Sequence, residues 1–174
     1  MQKKDVSTAL TSFYQFLLDQ RKGLYPNDFI VIGGASLVLQ DAIQETADID
    51  LLTRRRNLGR LCEILYESGN HHRYVMKSKL PGTLPITVMF SYSDANFDVF
   101  PVEKSLGNLA ENSMERIWVS FGGYNGFVRP IESVMGDYRL AIDALERRQD
   151  LIHVTSEKIT KYRERLSQLE RRYS

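Results

Sequence analysis

The run Ala47-Asp48-Ile49-Asp50-Leu51-Leu52 sets two carboxylates two residues apart in apolar surroundings. On a strand, residues two apart point to the same face. The spacing therefore predicts Asp48 and Asp50 side by side, with Ile49 turned the other way. Like charges held that close repel, and left alone one of them would tend to keep its proton. A divalent cation relieves the repulsion, and hard oxygen ligands of this kind suit Mg²⁺ or Mn²⁺ bridging to nucleotide phosphate oxygens. Upstream, Gly33-Gly34 allows a sharp turn and a close backbone approach to a ligand. The helix start around Ala35-Ser36 would offer N–H groups and the positive end of its dipole to an anion. The Ser36 hydroxyl could donate to the same phosphates. Phosphate on one side and metal on the other describe a site for a nucleoside triphosphate.

Plainer readings stand beside these. Asp48 and Asp50 could be solvent-facing residues of an edge strand, although acids between Ile49, Leu51 and Leu52 are poor strand formers. Gly33-Gly34 could be only a strand-to-helix turn. Arg54-Arg55-Arg56 directly follows the acidic strand and suits an RNA acceptor or a triphosphate, or equally a solvated turn. Lys77 and Lys79 are weaker candidates of the same sort. His71-His72 reads as surface rather than as a metal pair, because neighbours on a strand face opposite ways. Cys62 falls on an apolar helical stripe and reads as core. Trp118 reads as core too, whereas Tyr124 or Phe127 could stack on a base.

The elements that would position these groups follow from periodicity. Val6, Leu10, Phe13 and Leu17 mark an amphipathic helix over residues 5 to 20, capped by Asp5 or Ser7. Gly23 and Pro26-Asn27-Asp28 break it. Phe29 to Ile32 is a short apolar, β-branched run, a strand buried on both faces. A short helix from Ser36 to Gln44 leads to a strand around Ile49 to Leu51, then a helix over 57 to 68 closed near Gly69. Four further strands are expected at Tyr74 to Met76, Ile86 to Phe90, Phe97 to Phe100 and Ile117 to Phe121. Two helices end the chain. Ile131, Val134, Met135, Tyr138, Ile142 and Leu145 share a face of the first. Ile159, Tyr162, Leu166, Leu169 and Tyr173 form a seam on the second, which opens near Thr155 or Ser156. The expected fold is α+β: a small mixed sheet with flanking helices and two C-terminal helices. Residues 1–128 would be the core, and 129–174 a helical part of the same compact unit.

Composition narrows the class. The chain has 174 residues, 43% hydrophobic and 26% charged, with 23 Lys+Arg against 22 Asp+Glu. These proportions argue against disorder and against binding nucleic acid by bulk positive charge. No apolar run approaches the roughly 20 residues of a membrane span. The N-terminus reaches charge too early for a signal peptide, so a cytoplasmic location is expected. The single cysteine excludes an internal disulfide or a cysteine-based zinc site.

Apolar strand, Gly-Gly, short helix, then Asp-x-Asp on the next strand resembles the nucleotidyltransferase superfamily with the DNA polymerase β-type palm. Within it, GGAS followed by ADIDLL most resembles the minimal bacterial enzymes related to AbiEii-type toxins. The likeness covers residues 28 to 103 well and 128 to 153 loosely. It implies a third carboxylate on a later strand, for which Asp98 is the well-placed candidate, with Glu103 or Asp94 as substitutes. Asp48 and Asp50 would hold two metal ions, and Asp98 the ion at the acceptor. The resemblance also implies a cationic residue in a later helix followed by a basic and acidic cluster. Arg139, Arg147, Arg148 and Asp150 stand in similar positions, although Arg139 could simply pair with Asp143. Relatives carry Thr or Ser after Gly-Gly, and this chain has Ala35. By the same resemblance the reaction is Mg²⁺-dependent transfer of NMP from an NTP, with RNA such as a tRNA 3′ end as acceptor. Growth inhibition would be the outcome and an antitoxin protein a partner. A catalytically quiet nucleotide- or protein-binding module and a small-molecule (antibiotic) transferase are the other readings.

Overall fold

The computed structural model describes residues 1–76, 86–102, 115–147 and 152–173. Lys77, Lys79, Glu103, Arg148 and Asp150 lie outside the described residues. The chain divides into two compact units, Met1–Pro130 and Ile131–Ser174.

The first unit is built on the aromatic side of its first helix. In α1 (Lys3–Gln20), Val6, Leu10, Phe13 and Leu17 recur at helical spacing and all are buried. The helix opens earlier than expected, at Gln2, whose N–H donates to Asp5 Oδ2 at 3.0 Å. Asp5 therefore serves from inside the first turn, as the returning acceptor of a capping box. Phe13 packs against Phe29, Phe90 and Phe97 at centroid distances of 5.8, 5.3 and 5.0 Å. It thereby ties the helix to three different strands. Truncating such a residue to alanine costs about 3–5 kcal/mol.

After a 3₁₀ turn at Pro26–Asp28 come β1 (Phe29–Ile32), α2 (Gly33–Leu39), β2 (Ile49–Thr53) and α3 (Arg55–Glu67). Then follow β3 (His72–Met76), β4 (Ile86–Tyr92), β5 (Ala95–Pro101), β6 (Ile117–Phe121) and β7 (Tyr124–Val128). The strands form one mixed sheet in the order β3-β4-β5-β2-β1-β7-β6. Central β2 runs antiparallel to β1 and parallel to β5, while β7 is parallel to β1. This is the α+β fold with a mixed sheet that the sequence predicts.

One sheet face carries the core. Phe29 and Val31 of β1, Ile49 and Leu51 of β2, and Phe97 and Val99 of β5 join α1, α2 and α3 in one buried cluster. Alternation sends Ile32, Asp50 and Asp98 to the other face.

Three differences from expectation have local causes. α2 begins at Gly33 and stops at Leu39, and Asp41 takes a left-handed conformation that ends it. Strand β7 was not expected, because Asn125 and Gly126 interrupt its apolar run; it forms by pairing with both β1 and β6. Trp118 is 55% exposed instead of core, because β6 is an edge strand.

The second unit is a pair of packed helices, α4 (Ile131–Glu146) and α5 (Ile152–Tyr173). Tyr138 stacks on Tyr162 at 5.1 Å, and Leu169 of the predicted seam is fully buried. No helix among the described residues is long and apolar enough to cross a membrane.

Candidate active site

β1 ends where Gly33 takes a φ of +57°, a left-handed conformation that favours glycine. That turn sends the chain into α2 and leaves Ile32 as the last β1 partner of β2, paired with Asp50. On the other side of β2, Asp50 is the direct register partner of Asp98. Partners across a strand pair share a face, so the two carboxylates are neighbours about 5 Å apart at the backbone. Asp50 also reaches toward Gly33. A Cβ built on that glycine would stand 2.9 Å from Asp50 Oδ2, too close for two unbonded atoms. Both aspartates are partly exposed, as groups that meet a ligand must be.

Asp48 stands differently from the sequence expectation. It lies before β2, in a bend, so the two-residue alternation does not bring it beside Asp50. The stretch before it is held by the N-terminus: Thr46 N–H donates to Met1 carbonyl at 3.0 Å, and Glu45 bridges to Gln2. Thr46 Oγ1 also donates to the Asp48 carbonyl at 3.3 Å. The close acidic pair is therefore Asp50 with Asp98, 48 residues apart in sequence, and Asp48 sits at its margin. Asp94, weighed as a substitute for Asp98, lies in the β4–β5 hairpin turn with a positive φ.

Among the described residues, no three His, Cys, Asp or Glu side chains gather into a closed metal cage. Mg²⁺ ordinarily binds through one or two carboxylates and completes its shell with water and substrate phosphates. A pair of adjacent carboxylates beside a side-chain-free backbone turn is a donor set that fits such an ion. The soft, nitrogen-rich sets preferred by zinc or copper are absent from the pair itself.

The phosphate-binding expectations divide. Gly33 and Gly34 form the first turn of α2, where N–H groups have no partner within the helix. Ser36 is fully buried, and its hydroxyl donates to the Arg129 carbonyl. It also accepts from Gln40 Nε2 at 2.9 Å, while that amide reaches the Arg129 carbonyl at 2.9 Å. The single Ser36 proton thus links α2 to the end of β7, a packing role in place of the expected phosphate contact.

The arginine run is far from the carboxylates along β2. Thr53 pairs with Phe29 at the opposite end of β1 from Gly33, and Arg54 to Arg56 follow it. They are exposed, and Arg54 is the residue from which α3 starts. The structure does not bring them to Asp50. In the second unit, Arg139 forms an exposed ion pair with Glu170 at 2.7 Å, rather than with Asp143. His71 is exposed and Cys62 is buried, as expected.

The aromatics part ways at β7. Tyr124 packs beside Tyr14 on the α1 side, where its hydroxyl donates to Gln15. With Thr11, Asp19 and Tyr92 it lines a hollow on the helix-covered face, away from the aspartates. Phe127 lies next to Ile30, on the aspartate face.

A mixed sheet with a carboxylate pair on the face away from α1, and a glycine turn into a short helix beside it, decides the architecture. The fold is that of the nucleotidyltransferases. TM1012 of Thermotoga maritima, a candidate nucleotidyltransferase, superposes with a TM-score of 0.62 at 17% identity, over 90% of this chain and 96% of that one. An antigenic nucleotidyltransferase-like protein of Paracoccidioides brasiliensis matches with a TM-score of 0.56 at 16% identity, over 97% and 77% of the two chains. ANT(2″)-Ia, solved with adenylyl-2″-tobramycin, matches with a TM-score of 0.53 at 17% identity, over 96% and 99%. At these identities the likeness is one of fold. No protein-family model and no curated protein matches the sequence.

Proposed function

We propose that this protein is a Mg²⁺-dependent nucleotidyltransferase (Mn²⁺ being the alternative ion) that moves NMP from an NTP to an acceptor hydroxyl. The observation that carries the reading is the partly exposed Asp50–Asp98 pair on the sheet face away from α1, with Asp50 against the Gly33 turn. Asp50 and Asp98 would hold the ion, and Asp48 would join from the margin when substrate is bound. A divalent ion bound there supplies charge neutralisation at the phosphates and an acidified acceptor hydroxyl. The first-turn amides of α2, which have no partner within the helix, would meet the phosphates. The acceptor oxygen forms a bond to the α-phosphorus as the bond to pyrophosphate breaks, and the acceptor proton passes to Asp98 and on to water.

The first acceptor is an RNA 3′ hydroxyl such as a tRNA end, with toxin-like growth inhibition and an antitoxin partner as the biological setting. Arg54 to Arg56, at the far end of β2, would meet an RNA long enough to span the sheet. A second reading has its own support: ANT(2″)-Ia, crystallised with a nucleotidylated aminoglycoside, is nearly the same length as this chain. A small-molecule hydroxyl would then be the acceptor.

The deciding assay incubates the protein with each α-labelled NTP and Mg²⁺, adding total RNA in one arm and an aminoglycoside panel in another. Label on RNA supports the first acceptor, and label on the small molecule supports the second. No metal-dependent transfer to anything, or transfer that persists in Asp50→Asn/Asp98→Asn, rejects the enzyme and favours a quiet binding module.

A further inference from the structure

The edge of the sheet beyond β1 carries an aromatic group that the site just described does not use. Trp118 and Phe127 are direct register partners across β6 and β7. Their rings lie 4.1 Å apart at an interplanar angle of 35°. The Arg116 guanidinium sits over the same Phe127 ring, also at 4.1 Å. Phe127 is thus packed by an indole from β6 and by a cation from the residue just before that strand. These contacts fix the indole while leaving Trp118 more than half exposed. An exposed indole held by its neighbours can receive a flat ligand with little loss of side-chain freedom.

The register places this group on the aspartate face. Phe127 pairs with Ile30, and Ile30 points to the same side as Ile32, the partner of Asp50. Two strand spacings and two residues along β1 separate Phe127 from Asp50, roughly 12 Å between backbone positions. From the carboxylates, the group lies on the β1 side, the strand that ends in Gly33. Asp98, on β5, lies on the opposite side. An in-line displacement keeps acceptor and leaving pyrophosphate apart, so the reactant nearest to β1 is the donor nucleotide.

We propose that Trp118, supported by Phe127 and Arg116, is the stacking platform for the base of the donor nucleoside triphosphate. The proposal rests on the nucleotidyltransferase reading of the carboxylate pair. Stacking of this kind tolerates every base, because each has a π face, and the nearby guanidinium adds a cation that favours an electron-rich ring.

The chain contains one tryptophan, so intrinsic tryptophan fluorescence reports on this position alone. The test titrates the full-length protein, with Mg²⁺, using ATP, GTP, CTP, UTP and inorganic tripolyphosphate, and follows fluorescence alongside calorimetry. Expected is saturable quenching by at least one NTP at the concentration at which heat is released, and none by tripolyphosphate. Trp118→Leu should weaken binding of that NTP about tenfold, in keeping with the usual worth of one stacked base, and leave tripolyphosphate binding unchanged. Trp118→Phe should restore most of the affinity. Phe127→Leu, with circular dichroism and melting checked, should reduce quenching while Trp118 is retained.

Calorimetric NTP binding with unaltered fluorescence and unchanged affinity in Trp118→Leu overturns the platform and leaves the transferase reading standing. Absence of NTP binding by either method overturns both. Quenching by an aminoglycoside or RNA but by no nucleotide overturns the donor-base assignment.

Discussion

The carboxylate of Asp50 occupies the space that a side chain on Gly33 would need, with 2.9 Å between Oδ2 and the Cβ position. Gly33 also holds a φ of +57°. Two separate constraints therefore meet at one residue, a left-handed backbone and a carboxylate that must stay where it is. Gly33→Ala should lose about 1–2 kcal/mol of stability from backbone conformation alone. Displacement of Asp50 should lower nucleotidyl transfer by more than the stability loss explains. Chemical denaturation and transfer rates on the same preparation separate the two effects. Gly59 in α3 is the contrast, since a methyl there meets nothing within 4 Å. Gly59→Ala should stabilise the protein by about 1 kcal/mol, as expected for a helix interior.

Asp50 and Asp98 are register partners, whereas Asp48 precedes the strand. Asp50→Asn and Asp98→Asn should each lower transfer by about 10²–10³-fold, the scale on which one electrostatic contact to a transition state is felt. Asp48→Asn should cost less. Rates measured across Mg²⁺ concentrations check the ranking, and an Asp48 effect as large as that of Asp50 would contradict it.

Ser36→Ala removes a buried donor to the Arg129 carbonyl and an acceptor for Gln40. Stability should fall by about 1–3 kcal/mol, the cost of leaving buried partners unsatisfied. Nucleotide affinity of the folded fraction should be unaltered. Calorimetry below the melting temperature distinguishes this packing role from a phosphate contact.

Tyr14 is fully buried, and its hydroxyl has no hydrogen-bond partner among the described residues. Burial pushes the phenol well above its ordinary value near 10. The neutral form is the one the folded state tolerates, so this residue costs nothing extra below pH 10. Stability should fall above pH 10, where the unfolded chain ionises and the folded one does not. Tyr14→Phe should be neutral or stabilising by about 1 kcal/mol at pH 7 and should flatten the alkaline decline. Urea unfolding at pH 7, 9 and 10.5 tests both statements.

Much of the site was legible because it is local. The apolar run Phe29 to Ile32, the Gly-Gly turn and the acid in the next apolar run are neighbours in sequence, and each obeys short-range rules. Asp48 was misplaced for a reason outside those rules. The ladder with β5 begins only at Ile49, and the chain before it is held instead by Met1 and Gln2. Ser36 looked available because it follows two glycines; only the arrival of Arg129 from β7 consumes its hydroxyl. Arg116 gave no signal at all, since a lone basic residue near an aromatic is ordinary until pairing brings Phe127 beneath it.

By itself the sequence determined the helices, most strands, and which residues of a strand share a face, because periodicity and backbone preference act over a few residues. Only the tertiary structure decided which strands are neighbours and which strand is an edge. The parallel pairing of β2 with β5 creates the Asp50–Asp98 pair, and the edge position of β6 turns Trp118 outward. Both depend on contacts between segments far apart in the chain, whose free energy comes from the whole buried core and is written in no single stretch of residues.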